Sequence, residues 1–483
     1  MFEQTIDFMN DILWGKLLIY LLLGVGLLFT VRLGFIQFRH FGHMFSVLKH
    51  SRQADSNGIS SFQALCTSLA ARVGTGNLAG VAVALYLGGP GAIFWMWLIA
   101  LIGMATSFAE SSLAQLYKVK DDDGNFRGGP AYYMERGLGQ RWMGVAFAIC
   151  LIIAFGLVFN AVQANAIANA AQVAFGWQSY QTGILVQLLT GLIIFGGIRS
   201  IARFAELIVP FMALAYLLIA LVVVVANLSE LPAVFSLIFK SAFGWQEAAS
   251  GGLGYTIAQA MMNGIKRGLF SNEAGMGSAP NAAATASPYP PHPASQGYVQ
   301  MLGVFVDTIV ICTCTASVIL ISGALQPGSE VSGIELTQMA LGNEIGDFGK
   351  YFIAVAIFFF AFTSIVANYS YAETNLIFLE HQHPRGLQFF RCFVLAMVMF
   401  GAMAELPIVW KMADLSMAFM SIINLTAMVL LSGVVVKLAN DYNEQRKAGK
   451  LPTFDRSKYP ELDKDLADDI WQPEVTSNHI DKP

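Results

Sequence analysis

Two short runs carry the residues best suited to hold a charged ligand. One is Arg72-Val73-Gly74-Thr75-Gly76-Asn77-Leu78-Ala79-Gly80. The other is Arg267-Gly268-Leu269-Phe270-Ser271-Asn272-Glu273-Ala274-Gly275. Both read R-x-x-x-x-N-x-A-G, and both lie inside apolar stretches. Glycine weakens a helix, so each run predicts a break. Within a membrane, broken helix is tolerated only where it is buried in protein or lines a cavity. A break frees N–H groups, which suit a carboxylate, and C=O groups, which suit a sodium ion. A zwitterionic amino acid together with Na+ matches that pair of needs. The plainer reading is that the glycines only let helices approach closely. It covers Gly103-x-x-x-Ser107 well and two polar breaks less well.

The elements that must position these runs are membrane helices. Hydrophobic residues make up 55% of the chain and charged residues 12%, against about 25% charged in a soluble domain. Mean hydropathy is +0.57. So little charge cannot cover a water-facing surface, and the natural solvent is a bilayer. The net charge of -4 leaves no basic patch for nucleic acid. Cys66, Cys150, Cys312, Cys314 and Cys392 fall in apolar stretches without metal spacing and read as packing residues. Glu3, Asp7 and Asp11 precede the first apolar run, where a cleavable signal would carry basic residues.

Length and hydropathy predict about eleven spans in an all-α integral membrane protein. Their limits are near 13–35, 62–87, 91–118, 142–172, 179–197, 204–227, 251–285, 297–323, 349–380, 388–404 and 412–440. The stretches near 231–247 and 330–343 read as short amphipathic connectors. The two motif runs stand five spans apart, so they cross in opposite directions. That is the signature of an inverted five-plus-five repeat. The chain then divides into an extra N-terminal helix at 1–36, a first repeat at 62–227, a second at 251–440 and a polar tail at 441–483, expected to be solvated. Arg and Lys residues gather in alternate loops, among them Arg32, Arg39, Lys118, Arg127, Arg199, Arg391 and Lys437. The other loops hold Lys240, Lys350 and Lys411. The bias places the N-terminus outside and the C-terminus in the cytoplasm.

Some chemistries are excluded. Gly74-x-Gly76-x-x-Ala79 has the glycine spacing of a dinucleotide turn but sits in an apolar span, with no acidic residue about 20 positions on. No G-x-x-x-x-G-K-[ST] run points to ATP. An enzyme would need a His or carboxylate cluster, and the histidines lie in loops, at span ends or in the tail. A channel would repeat polar residues along one pore face, whereas here they concentrate near the midplane. The chain reads as non-enzymatic.

Four segments resemble motifs of the alanine or glycine:cation symporter family. They are Gly74-Thr75-Gly76-Asn77-Leu78-Ala79-Gly80-Val81, Gly88-Gly89-Pro90-Gly91-Ala92-Ile93-Phe94-Trp95-Met96-Trp97, Gly128-Gly129-Pro130-Ala131-Tyr132-Tyr133-Met134, and Ser271-Asn272-Glu273-Ala274-Gly275-Met276-Gly277-Ser278-Ala279-Pro280. The resemblance runs over essentially all spans and leaves only the tail. It implies a LeuT-like five-plus-five inverted fold, and symport of a small neutral amino acid with Na+ or a proton across the bacterial inner membrane. It implies no other cofactor and no obligate protein partner. Val73-Gly74-Thr75-Gly76-Asn77 also resembles the first helix of neurotransmitter:sodium symporters.

The same resemblance assigns roles. Thr75, Gly76 and Asn77 border the substrate from the first break, and Phe270, Ser271 and Asn272 from the second. Asn160 and Gln163 approach from the fourth span. On that helix Asn165, Asn169 and Gln172 share a roughly opposite face, and Asn169 and Gln172 read as interhelical glue. Thr363 and Ser364 resemble a hydroxyl pair that ligates sodium, with the carbonyls of Ala70 and Val73 completing the site. Many members have Gly-Trp where this chain has Ala367-Asn368. Asn368 would widen the pocket or offer an amide, which adds glutamine and asparagine to alanine and glycine as candidate substrates. Intramembrane Glu110, Lys266, Arg267, Glu273 and Asp307 are expected to be functional. Glu110 and Asp307 are expected in inner-gate pairs with Arg72 or Arg267.

Overall fold

A computed structural model describes residues 2–52, 58–245, 256–326, 330–380 and 384–472. The chain is a bundle of helices. The main ones, in order, are α1 (Glu3–Arg32), α2 (Phe41–Lys49), α3 (Ser61–Arg72), α4 (Gly76–Gly88), α5 (Gly91–Leu116), α6 (Arg141–Phe175), α7 (Ser179–Ile194), α8 (Gly197–Ala226) and α9 (Leu231–Ala242). Then come α10 (Ile257–Asn272), α11 (Pro280–Ala284), α12 (Pro293–Ile321), α13 (Gly333–Ile345), α14 (Asp347–Leu379), α15 (Arg385–Met403), α16 (Leu406–Leu430) and α17 (Ser432–Lys447).

Among the described residues, eight single helices are long and apolar enough to cross a membrane, or nine with the bent pair α3 and α4. The two other expected spans correspond to α7 and to α10 with α11, which are too short to pass alone. The expected connectors near 231–247 and 330–343 are the helices α9 and α13.

Both broken helices start on the same local device. Ser60 and Gln63 form a capping box at α3, and Thr256 and Gln259 form one at α10. Each satisfies orphan N–H groups before the helix enters the bundle. The breaks themselves are covered on all sides. Helix α5 packs against α10 and α12, while α14 packs against α3, α6 and α8. A two-residue parallel pairing joins β1 (Ile59–Ser60), at the start of α3, to β4 (Ala286–Ser287), just after α11. Two further short strands, β2 (Val119–Lys120) and β3 (Phe126–Arg127), form a hairpin after α5.

The two ends of the bundle differ. At the N-terminal end, Lys411 is clamped by Glu3 at 2.7 Å and Asp7 at 2.9 Å. At the opposite end Arg127 ties Asp121 (2.9 Å) to Glu373 (3.2 Å), and Arg391 joins through Glu373 (3.9 Å) and the Tyr369 hydroxyl (2.8 Å). Also there, His40 Nδ1 lies 2.8 Å from the Tyr298 hydroxyl and His43 Nε2 lies 3.0 Å from that of Tyr442. Burial, with Arg446 nearby, pushes both imidazoles down from 6.5 to about 4.

The tail departs from its solvated reading as far as Gln472. Residues 449–472 fold back, burying Phe454, Leu462, Ile470 and Trp471. The Phe454 N–H donates to the Pro291 carbonyl at 2.9 Å. Trp471 Nε1 donates to the Gln115 carbonyl at 3.2 Å. Lys118 lies over the rings of Phe126 (3.9 Å) and Trp471 (5.0 Å) and donates to the Ala286 carbonyl at 2.8 Å. The buried apolar residues are widely spaced among polar ones, so they carry no helical or strand period to read. Residues 473–483 lie outside the described chain.

Candidate functional site

The first break falls at residues 73–75. Val73 ends α3 with ψ 76°, and α4 resumes at Gly76, bent by 48°. Asn77 plugs the gap. Its amide oxygen accepts the Gly74 N–H at 3.0 Å. The Thr75 N–H, freed by the break, donates to Gln163 Oε1 at 3.0 Å, and the Thr75 hydroxyl donates to the same oxygen at 2.6 Å. An amide oxygen thus occupies the place that suits a carboxylate. Both glycines are needed here. A Cβ on Gly74 would fall on Ser364 Oγ and 3.0 Å from Gln163 Oε1. A Cβ on Gly76 would lie 3.1 Å from the Phe270 ring and from Ser271 Cα. The two breaks therefore touch.

The second break runs through residues 273–279. Glu273 is left-handed (φ 58°), as are Gly275 and Gly277 (φ 88° and 86°). Asn272 Oδ1 accepts the Ala274 N–H at 3.0 Å. The Glu110 carboxylate accepts the Gly275 N–H at 3.2 Å, and the Asn424 amide at 3.0 Å. Asn424 also donates to the Gly275 carbonyl at 3.0 Å. Carboxyl and amide groups from α5 and α16 replace the lost helix bonds.

Asp307, on α12, stands between the breaks. Asn77 Nδ2 lies 2.7 Å from its Oδ1, while Ser271 and Thr308 donate to its Oδ2, each at 2.7 Å. The expected inner-gate pairing is not what forms. Arg72 donates to the Gln300 carbonyl (3.1 Å) and to Ser107 (3.4 Å), and makes no ion pair among the described residues. Arg267 pairs with Asp414, and Lys266 reaches the same carboxylate at 3.7 Å. Asp414 shares its end of the bundle with Trp14, whose indole donates to the Asp414 carbonyl at 3.1 Å. The reason is position on the broken helix. Arg267 precedes the break and belongs to the half that starts at the N-terminal end.

An aromatic lid covers the second break. Phe270 stacks on Phe159 (4.7 Å between centroids) and packs on Trp410 (4.7 Å). The Arg267 guanidinium lies 4.4 Å from the Trp410 ring centroid. Opposite the first break, Asn368 Nδ2 donates to Asn160 Oδ1 at 3.2 Å. Ser364 Oγ lies 2.8 Å from the Ala70 carbonyl and 2.9 Å from that of Phe360. These oxygens belong to the hard-donor class that suits Na+.

Most of the expected site residues meet. Thr75 meets Gln163, Gly76 meets Phe270 and Ser271, Asn160 meets Asn368, and Ser364 meets Ala70 and the neighbourhood of Val73. Thr363 turns away. Its hydroxyl bonds its own helix at Phe360 (2.9 Å) and lies 3.8 Å from Met212 Sδ on α8. The Asn272 side chain caps its own break and leaves Nδ2 unpartnered among the described residues. Of the two amides read as interhelical glue, Asn169 bonds within its own helix, donating to Asn165 Oδ1 at 3.0 Å, and it is Asn165 that crosses between helices, donating to the Gly401 carbonyl at 3.0 Å. Sequence reasoning missed Phe159, Phe360, Trp410 and Asp414. Only Asp414 carried a signal, as an acid inside an apolar run.

Comparisons with known proteins identify the family and the fold. The model of the sodium:alanine symporter family matches residues 1–456. The chain is 51% identical over 454 residues to the "Probable sodium/glutamine symporter GlnT" of Bacillus subtilis, over 94% of this chain and 93% of that one. It is 41% identical over 455 residues to the "Sodium/alanine symporter AgcS" of Methanococcus maripaludis, over 92% and 98%. Among solved structures it is similar to MhsT in complex with L-phenylalanine, with a TM-score of 0.54 and 13% identity over 85% of this chain and 92% of that one. That likeness identifies the LeuT-type fold. A family model spanning every membrane helix, and relatives aligned nearly end to end, lead to one conclusion: the chain belongs to the sodium:alanine symporter family.

Proposed function

We propose that the protein imports a small neutral amino acid (alanine, glycine or glutamine) driven by the sodium gradient, through alternating access. The observation that carries this reading is the contact between the breaks, where a Cβ on Gly76 would lie 3.1 Å from Phe270 and Ser271. The freed groups around it suit a zwitterion. Thr75 offers its N–H and hydroxyl to the carboxylate, with the Gly76 N–H beside them, and Gln163 Oε1 is the stand-in that yields the Thr75 pair. Phe270, Asn160 and Asn368 face the side chain. Na+ binds the carbonyls of Ala70, Val73 and Phe360 with Ser364 Oγ, and Thr363 joins if its hydroxyl turns from Met212. The names of GlnT and AgcS support sodium as the coupling ion.

In this reading eleven spans form two inverted repeats, at 62–227 and 251–440, behind the extra helix α1. The N-terminus faces outward and the basic end inward, across a bacterial inner membrane. Arg267, Asp414 and Trp410 then form the outer closure, and substrate release lies toward Arg127 and the tail.

The test is uptake of labelled alanine into proteoliposomes, with an inward sodium gradient, a proton gradient or neither. Sodium-dependent accumulation above equilibrium, reduced by unlabelled glycine or glutamine, is expected. Equilibration alone, or accumulation that ignores sodium, overturns the reading.

A further inference from the structure

Asn160 and Asn368 face each other between α6 and α14. The Asn160 amide nitrogen donates to the Gly156 carbonyl of its own helix at 3.1 Å. Its oxygen accepts from Asn368 Nδ2 at 3.2 Å. This chain of bonds orients both amides. Turning either one over would set oxygen against oxygen or N–H against N–H. One atom is left over. Asn368 Oδ1 has no partner among the described residues, and Asn368 is only 1% exposed. Buried amide oxygens are rarely left without a donor.

The place of that oxygen gives it meaning. Asn368 lies one helical turn beyond Ser364, on the same face of α14. Ser364 Oγ fills the space where Gly74 lacks a side chain, and Gln163 Oε1 borders the same space. Asn160 is one turn before Gln163 on α6 and directly follows Phe159, which stacks on Phe270. The side chain that carries the orphan oxygen therefore lies one helical turn from the first break. The freed backbone groups provide for the carboxylate of a substrate. What the orphan oxygen still lacks is a donor, which a substrate's side chain would bring.

We propose that Asn368 Oδ1 determines specificity by accepting a hydrogen bond from the substrate side chain. The favoured substrates are then neutral amino acids with a side-chain amide or hydroxyl, ahead of aliphatic ones of equal size. This rests on the amino-acid symport reading above and sharpens it. A side-chain carboxylate would set oxygen against oxygen. A site with an unpaired polar group discriminates most strongly against the analogue that fails to pair with it.

The test compares shape-matched pairs in proteoliposomes under a sodium gradient: serine against 2-aminobutyrate, and glutamine against 5-methylnorleucine. The wild-type protein should favour the donor-bearing member of each pair by about tenfold, one hydrogen bond's worth. In Asn368→Leu, which keeps the branched shape and removes the acceptor, both ratios should fall to about one. A ratio within one preparation does not depend on how much protein has folded, and the wild-type arm needs no variant. Equal uptake within both wild-type pairs overturns the proposal, as does a preference that survives in Asn368→Leu. If neither these four compounds nor alanine accumulates with sodium, the symport reading has failed, and this proposal falls with it.

Discussion

Asn77 and Asp307 are joined at 2.7 Å, and the same Asn77 side chain closes the first helix break by accepting the Gly74 N–H at 3.0 Å. One amide thus ties the break in α3 and α4 to α12. Asp307 in turn holds Ser271 at 2.7 Å, beside the second break. A carboxylate with no ion-pair partner among the described residues sits where both breaks meet.

Replacing Asp307 with alanine strips partners from Asn77, Ser271 and Thr308. Each buried orphan costs about 1–3 kcal/mol. Asp307→Ala should lower the melting temperature in detergent by several degrees and abolish sodium-driven uptake. Asp307→Asn keeps the shape and should recover much of the melting temperature. Wild-type melting and uptake in Asp307→Ala would show the link to be idle.

Ser364 and Thr363 should part company. Ser364 Oγ touches the Ala70 carbonyl, whereas Thr363 is engaged with its own helix and Met212. Ser364→Ala should raise the sodium concentration for half-maximal uptake by about tenfold, and Thr363→Ala by a few-fold at most. A sodium titration of uptake for each variant decides it. The reverse order would mean that the sodium-bound state rebuilds the Thr363 hydroxyl as the stronger ligand.

Gly74 tolerates no side chain. Its Cβ would fall on Ser364 Oγ, while that of Gly76 would lie 3.1 Å from Phe270 and Ser271. Gly74→Ala should abolish uptake and Gly76→Ala should reduce it. Wild-type uptake by Gly74→Ala would mean that Ser364 can leave the first break without harm.

Acid should loosen the basic end. Burial holds His40 and His43 near 4, against an ordinary 6.5. Both fold neutral, so their contribution is fully present above pH 6.5 and is lost as pH falls from there toward 4. The melting temperature should drop over that window, and His40→Phe with His43→Phe should shrink the drop. An unchanged pH profile in the double variant would assign the acid sensitivity elsewhere.

Removing the tail should expose what it covers. Trp471 is 8% exposed and packs beside Lys118. Trp471→Ala should cost about 2–3 kcal/mol, less than a fully buried tryptophan. Truncation after Gly449 should cost more, and should make a cysteine placed at Gln115 far more reactive to a membrane-impermeant maleimide. Equal reactivity with and without the tail would show that it does not shield α5.

Much of this was legible in the residues. The two R-x-x-x-x-N-x-A-G runs located both breaks, because clustered glycines weaken a helix and the Asn beside each cluster can bond the backbone it frees. The facing of Asn160 and Gln163, apart from Asn165 and Asn169, followed from helical spacing. The partners of the charges did not follow. Arg267 could be assigned to Asp414 only once the fold brought residues 147 positions apart together. Phe360 meets Ser364 through its carbonyl, which every residue has, so no side chain announced it. Phe159 and Trp410 looked like any other aromatic in a span.

The folded tail sets an order of events in the making of the protein. Trp471 donates to a carbonyl that lies 356 positions earlier, in α5. Every membrane helix is synthesised before that contact can form. A newly inserted chain therefore stands complete in the bilayer with the seam around Gln115, Lys118 and Ala286 still bare. Closing that seam therefore waits until residues 449–472 have been made and have folded back.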